Sequence, residues 1–138
     1  MLGEQIGEER GQVLARRVLR SEGSPQVEVT FEARGRLCGV DTTDMGTYVA
    51  RVQPDGSTLG EGQGIVRGAS NEIATWTAGG AGHFTDDGGV SWRGALYYQS
   101  QSPAFARLNG IAEVLTTACR TVDPQCTDEM LEELVEEA

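Results

Sequence analysis

Residues 59–67 read LGEGQGIVR, and every second residue from Gly60 to Gly64 is a glycine. Alternate residues of an extended strand point to the same face, so these glycines leave one face of the segment without side chains. Glycine is unfavourable inside a strand, so such a run needs a structural cause. We expect either tight curvature of the sheet or large aromatic side chains lying across the bare backbone, and both are typical of closed barrels.

The following segments carry further glycines inside patterns that also indicate strands. Gly80 and Gly82 share one face of the next segment, and single glycines follow at Gly94 and Gly110. The interval from one of these glycines to the next suggests that each lies on a successive arm of a series of hairpins. We therefore favour a barrel, and an open sandwich of two sheets remains the alternative.

Alternating apolar and polar residues give the clearest strand signal, in residues 26–37. Val27, Val29 and Phe31 alternate there with acidic and hydroxyl side chains, which is the pattern of a half-buried strand. The other predicted strands are residues 13–20, 47–53, 59–67, 73–85, 90–99 and 107–117. No amphipathic helix separates them, so the pattern predicts an all-β fold: a closed antiparallel meander β-barrel of about eight strands over residues 1–126.

The last twelve residues change in character. Residues 127–138 contain six acids and no base, and Thr127 can cap a helix whose first turn is acidic. Met130, Leu131, Leu134 and Val135 then form one apolar stripe at helical spacing. The sequence therefore predicts a short acidic amphipathic helix, in the same domain, that docks on the barrel or on a partner.

Length and composition exclude several classes of function. The 138 residues are enough for one domain, and a net charge of −10 argues against nucleic-acid binding. The absence of lysine excludes a P-loop and pyridoxal phosphate chemistry, and a single histidine excludes HExxH zinc sites. No segment has 18 consecutive apolar residues, so we expect no membrane span and, with no visible secretory signal, a cytoplasmic location.

We expect neither a metal nor a cofactor. A zinc site could be formed only by Cys38, Cys119, Cys126 and His83. This set lacks the closely spaced cysteine pair that structural zinc sites usually have. A Cys–His nucleophile is a further alternative. In a reducing compartment the cysteines are expected to be free thiols, although a Cys119–Cys126 bridge remains an alternative.

Polar residues on otherwise apolar strands are the candidate site. If their faces turn inward, Glu61 and Glu113 could act as general acid and base, because a carboxyl group in a dry pocket has a raised pKa. The alternative is that these faces meet solvent or form cross-strand ion pairs. The candidate ligand-binding residues are Tyr48, Gln63, Trp76, Trp92, Arg93 and Asn109.

Residues 45–114 also carry a family resemblance. The segments MGTY, PDGSTLGEGQGIV, ATWTAGGAGHF, GGVSWRGALYYQ and ARLNGIAEV resemble a group of small uncharacterised bacterial proteins. That group is similar to the allene oxide cyclase-like barrel, a relative of dirigent and lipocalin-type barrels. The resemblance implies an eight-stranded barrel with an internal cavity, often in a dimer or trimer, and it carries over no catalytic set.

Three functions follow from these patterns. The first is a barrel that binds a small, mostly apolar molecule in its interior. The second is a cofactor-independent cyclase or isomerase that folds a substrate in the same cavity. The third is an interaction protein with a filled barrel and a partner-docking C-terminal helix. We expect the first, in a homo-oligomer.

Overall fold

A computed structural model describes the backbone of residues 4–123 and 127–136 and the side chains of residues 4–117. The described chain contains eight strands and one short 3-10 helix. The strands are β1 (Gln5–Arg20), β2 (Gln26–Leu37), β3 (Val40–Val52), β4 (Thr58–Gly68), β5 (Ile73–Phe84), β6 (Val90–Gln99), β7 (Ala112–Asp123) and β8 (Thr127–Glu136). The 3-10 helix, Pro103–Leu108, lies between β6 and β7.

The strands form one antiparallel meander. Each strand from β1 to β7 pairs with the next one in the chain. The all-β class and the antiparallel meander predicted from the alternating patterns are therefore confirmed. β8 pairs with β7 on one side and with β1 on the other, so the strand order runs round a closed barrel.

The predicted fold is wrong in its last element. Residues 127–136 form strand β8 and not a helix, and the only helix in the described part of the chain is the six-residue 3-10 turn. An amphipathic segment this short gains little as an isolated helix. The edges of β1 and β7 offer hydrogen-bond partners to the backbone of this segment. Without this pairing, the N–H and C=O groups of all three strands would have to bond to water. The predicted division of the domain into a barrel that ends at residue 126 and a C-terminal helix is therefore also wrong.

Three strands begin five or more residues away from their predicted starts, and one of them is β3, which begins at Val40 and not at residue 47. β1 begins at Gln5, eight residues before the predicted start, because its polar first half is held by pairing with β2. β7 begins at Ala112 because the preceding residues form the 3-10 helix, which buries Phe105 and Leu108. No helix among the described residues is long and apolar enough to cross a membrane.

The core lies on the inner face of the sheet. Phe31, Ala33 and Leu37 of β2 are buried, and the residues between them on the strand are not. The two-residue turn from β2 to β3 has Cys38 and Gly39 at φ of 52° and 78°, the left-handed conformation that a tight hairpin requires. The hydrophobic effect thus selects the inner face, and short turns keep the strands in sequence order.

Candidate functional site

Four aromatic side chains form a continuous row inside the sheet, which we call the aromatic row: Trp76, Phe31, Tyr48 and Trp92. Phe31 stacks on Trp76 with ring centroids 6.2 Å apart, and it contacts Tyr48 at the same centroid distance. Tyr48 meets Trp92 edge to face at 5.7 Å. Both geometries are favourable for aromatic pairs, so the row is a rigid wall.

Glycines form the surface beneath this row. A Cβ atom at Gly64 would lie 2.4 Å from the Trp76 ring, and one at Gly60 would lie 2.9 Å from the Trp92 ring. Real Cβ atoms do not approach other atoms so closely, so the rings occupy the space that side chains on β4 would need. The glycine run from Gly60 to Gly64 therefore has aromatic rings lying across it, which is one of the two causes expected for it.

A cavity of about 70 Å³ lies beside the aromatic row. This volume is well above the roughly 10–15 Å³ that one buried water needs. Its lining is almost entirely apolar and includes bare glycine backbone from three strands. The residues around it are Phe31, Tyr48, Gly60, Glu61, Gly62, Trp76, Ala78, Gly79, Gly80, Trp92, Arg93, Gly94, Leu115 and Thr117.

Two buried hydroxyl groups lie at the Trp92 end of the interior. Thr117 of β7 lies opposite Trp92 in the sheet register, and Thr58 lies opposite Gly82. Both threonines are at most 5 % exposed, and among the described side chains neither hydroxyl has a hydrogen-bond partner. Only Thr117 lines the cavity.

A buried carboxyl pair lies behind Trp76. The Trp76 indole N–H donates a hydrogen bond of 2.8 Å to Asp44 Oδ1, and Asp44 is 1 % exposed. Burial raises the pKa of Asp44, while hydrogen bonds with the Glu9 carboxyl and the Trp76 indole oppose this rise. The Asp44 carboxyl group therefore holds the Trp76 ring in place against the cavity.

The structure places four of the predicted site residues inside the sheet. Tyr48, Trp76 and Trp92 belong to the aromatic row and line the cavity. Glu113 is fully buried on β7 but does not line the cavity.

The other four predicted residues are exposed. Glu61, Gln63 and Arg93 lie on the outer face of their strands, so for these three residues the structure shows the solvent-facing alternative and not the inward orientation. Glu61 and Arg93 border the cavity with that outward parity, so they present backbone to it. The Asn109 side chain bonds the backbone of Ser100 in both directions and so holds a loop.

Sequence reasoning missed Asp44, Glu9 and Thr117. Asp44 shares its face of β3 with Tyr48, which is the signal that could have found it. Glu9 lies in the half of β1 that was not predicted as a strand. Thr117 lay in a predicted strand, but a threonine there carries no distinctive signal.

The described residues hold no cluster of three or more histidine, cysteine, aspartate or glutamate side chains that could bind a metal ion. His83 is exposed, and Cys38 is half-buried in the turn between β2 and β3. Cys126 and the side chain of Cys119 lie outside the described residues, and so does the bridge considered between them.

Solved structures resemble this fold over its full length. A conserved protein of unknown function from Rhodopseudomonas palustris matches with a TM-score of 0.82 and 9% identity, covering 100% of this chain and 99% of its own. A protein of unknown function from Clostridium acetobutylicum matches with a TM-score of 0.82 and 11% identity, covering 100% of both chains. At this identity the likeness shows the fold alone. No protein-family model and no curated protein matches the sequence.

Proposed function

We propose that this protein binds a small, mostly apolar molecule in the cavity beside the aromatic row. The observation that carries the proposal is a preformed space of about 70 Å³ whose walls are aromatic rings, Leu115 and bare glycine backbone. Sites for small ligands are typically apolar pockets with few polar groups.

The packing of the walls supports a site that is ready before the ligand arrives. Trp76 is held by Asp44 and by its stack on Phe31, and Trp92 is held by its edge contact with Tyr48. Rings already fixed in place lose little conformational entropy on binding, which favours affinity.

The other two functions have less support. A cyclase or isomerase would use the same cavity, but its expected carboxyl groups are separated: Glu61 is on the outer face and Glu113 is buried inside. The interaction protein was expected to have a filled barrel and a docking helix. The structure has a cavity where a filled interior was expected, and it has strand β8 where the docking helix was expected.

The proposal is tested by titrating toluene as an apolar probe into the protein. Calorimetry and the rise in melting temperature should show one saturable site per chain. The variant Ala78→Leu extends a cavity-lining side chain into the space, so we expect its affinity for toluene to fall at least about tenfold.

Ala81→Leu is the matched control, because it makes the same change three residues later on the exposed face of β5. It should bind toluene as the unmodified protein does. The proposal fails if the unmodified protein shows no saturable binding, or if Ala78→Leu binds as well as Ala81→Leu.

A further inference from the structure

Building on the proposed function, we propose that the ligand carries one neutral hydrogen-bonding group, which pairs with the Thr117 hydroxyl. The ligand class is then small aromatic or alicyclic alcohols, phenols and carbonyl compounds, and not pure hydrocarbons or anions. The proposal rests on a buried hydroxyl of a cavity-lining residue that has no hydrogen-bond partner among the described side chains.

Thr117 is one of the residues around the cavity. Its residue is 5 % exposed, it lines the cavity, and its register partner on β6 is Trp92 of the aromatic row. A hydroxyl can donate one hydrogen bond and accept two, and burying it without a partner costs folding free energy. A ligand oxygen at this point would satisfy the group, while the rest of the ligand packs on the rings.

Thr58 offers an internal comparison. Its hydroxyl is equally buried and likewise has no partner among the described side chains, but it does not line the cavity. A Cβ atom at Gly82 would lie 2.7 Å from the Thr58 hydroxyl and 2.8 Å from the Trp92 ring, so this hydroxyl lies close to the indole. The two threonines therefore share chemistry and burial, and they differ in that only Thr117 lines the cavity.

The charges around the cavity select a neutral group. Arg93 is the one basic residue among those described at the cavity, and it is on the outer face. Asp44 and Glu113 are buried within the same sheet. An anionic ligand would lose its hydration without gaining a cation, which is unfavourable in an apolar site.

The test compares toluene with p-cresol, which have the same ring and methyl group and differ by one hydroxyl. Calorimetric titrations are made with the unmodified protein, Thr117→Val and Thr58→Val. We expect the unmodified protein to bind p-cresol about fivefold more tightly than toluene, the value of one hydrogen bond. Thr117→Val should bind both probes alike, and Thr58→Val should keep the preference.

The outcomes separate this inference from the proposed function. Suppose that toluene binds to the unmodified protein. If that protein shows no preference for p-cresol, or if Thr117→Val keeps the preference, the inference is overturned and the proposed function stands. If the preference is lost equally in both variants, Thr117 has no special role and the inference is again overturned. If neither probe binds, the proposed function fails and the inference fails with it.

Discussion

At the scale of single residues, the interior depends on positions where a side chain is missing. Gly64 lies under the Trp76 ring, and that ring is fixed by its hydrogen bond to Asp44 and its stack on Phe31. The ring therefore cannot move away from a new methyl group without breaking one of these contacts. The glycine is required by packing and not by backbone conformation.

We expect Gly64→Ala to lower the free energy of unfolding by about 1–3 kcal/mol, the usual cost of overpacking a core. Urea unfolding followed by circular dichroism measures this. Gly79→Ala is the control, because its Cβ would meet only a backbone oxygen 3.8 Å away. It should be neutral or stabilising by about 0.5 kcal/mol. Equal losses in both variants would contradict the packing argument.

Asp44 makes a second prediction at this scale. The pKa of Asp44 is raised in the folded protein above its ordinary value of 3.8. Above pH 3.8 this carboxyl group therefore ionises more readily in the unfolded chain than in the folded protein. The stability of the protein should therefore contain a contribution that is present below this pH and lost as the pH rises through the higher folded pKa. Asp44→Asn removes the titration, so its stability relative to the unmodified protein should improve as the pH rises from 3.8.

Asp55 supplies a control of opposite sign. Hydrogen bonds from Ser57 lower the pKa of this exposed carboxyl group, so its contribution is present above pH 3.8 and is lost as the pH falls. Asp55→Asn should lose stability relative to the unmodified protein as the pH rises. Urea denaturation curves across the acid range measure both differences, and slopes of the same sign would refute the assignment for Asp44.

At the scale of elements, β8 is the strand with the least favourable charge. Glu133 lies in register with Glu8 of β1, and Glu132 lies in register with Glu9. Like charges at directly opposed positions destabilise a strand pair. By contrast, β3 and β4 pair through residues such as Met45 and Ile65, which carry no charge.

We therefore expect salt to strengthen the pairing of β8 with β1. Amide hydrogen exchange in β8 should slow when NaCl is raised from about 0.05 M to about 0.5 M, because salt screens the repulsion between like charges. Amides of β3 and β4 in the same samples should show no comparable change. Exchange in β8 that is insensitive to salt would show that repulsion at these positions does not limit its stability.

At the scale of the whole molecule, a single antiparallel sheet produces both the core and the cavity. The aromatic row draws its side chains from four strands, β2, β3, β5 and β6, and the glycines it covers lie on β3, β4 and β5. No local segment contains the site. It exists only when strands distant in sequence are brought into register.

The sequence by itself indicated seven of the eight strands and the residues that share a face on each predicted segment, because alternation follows from local backbone geometry. It predicted β2 and β6 with their observed bounds, and it indicated that aromatic rings or curvature must explain the glycines. It also predicted the meander, because short turns leave neighbouring strands little choice of partner.

Only the tertiary structure decided which face of each strand is inside and what the last segment becomes. Glu61 and Gln63 lie outside because their glycine neighbours receive the rings, and residues 127–136 are extended because two strand edges need partners. Both decisions depend on contacts between residues far apart in the chain. Local alternation and helical spacing carry no information about those contacts.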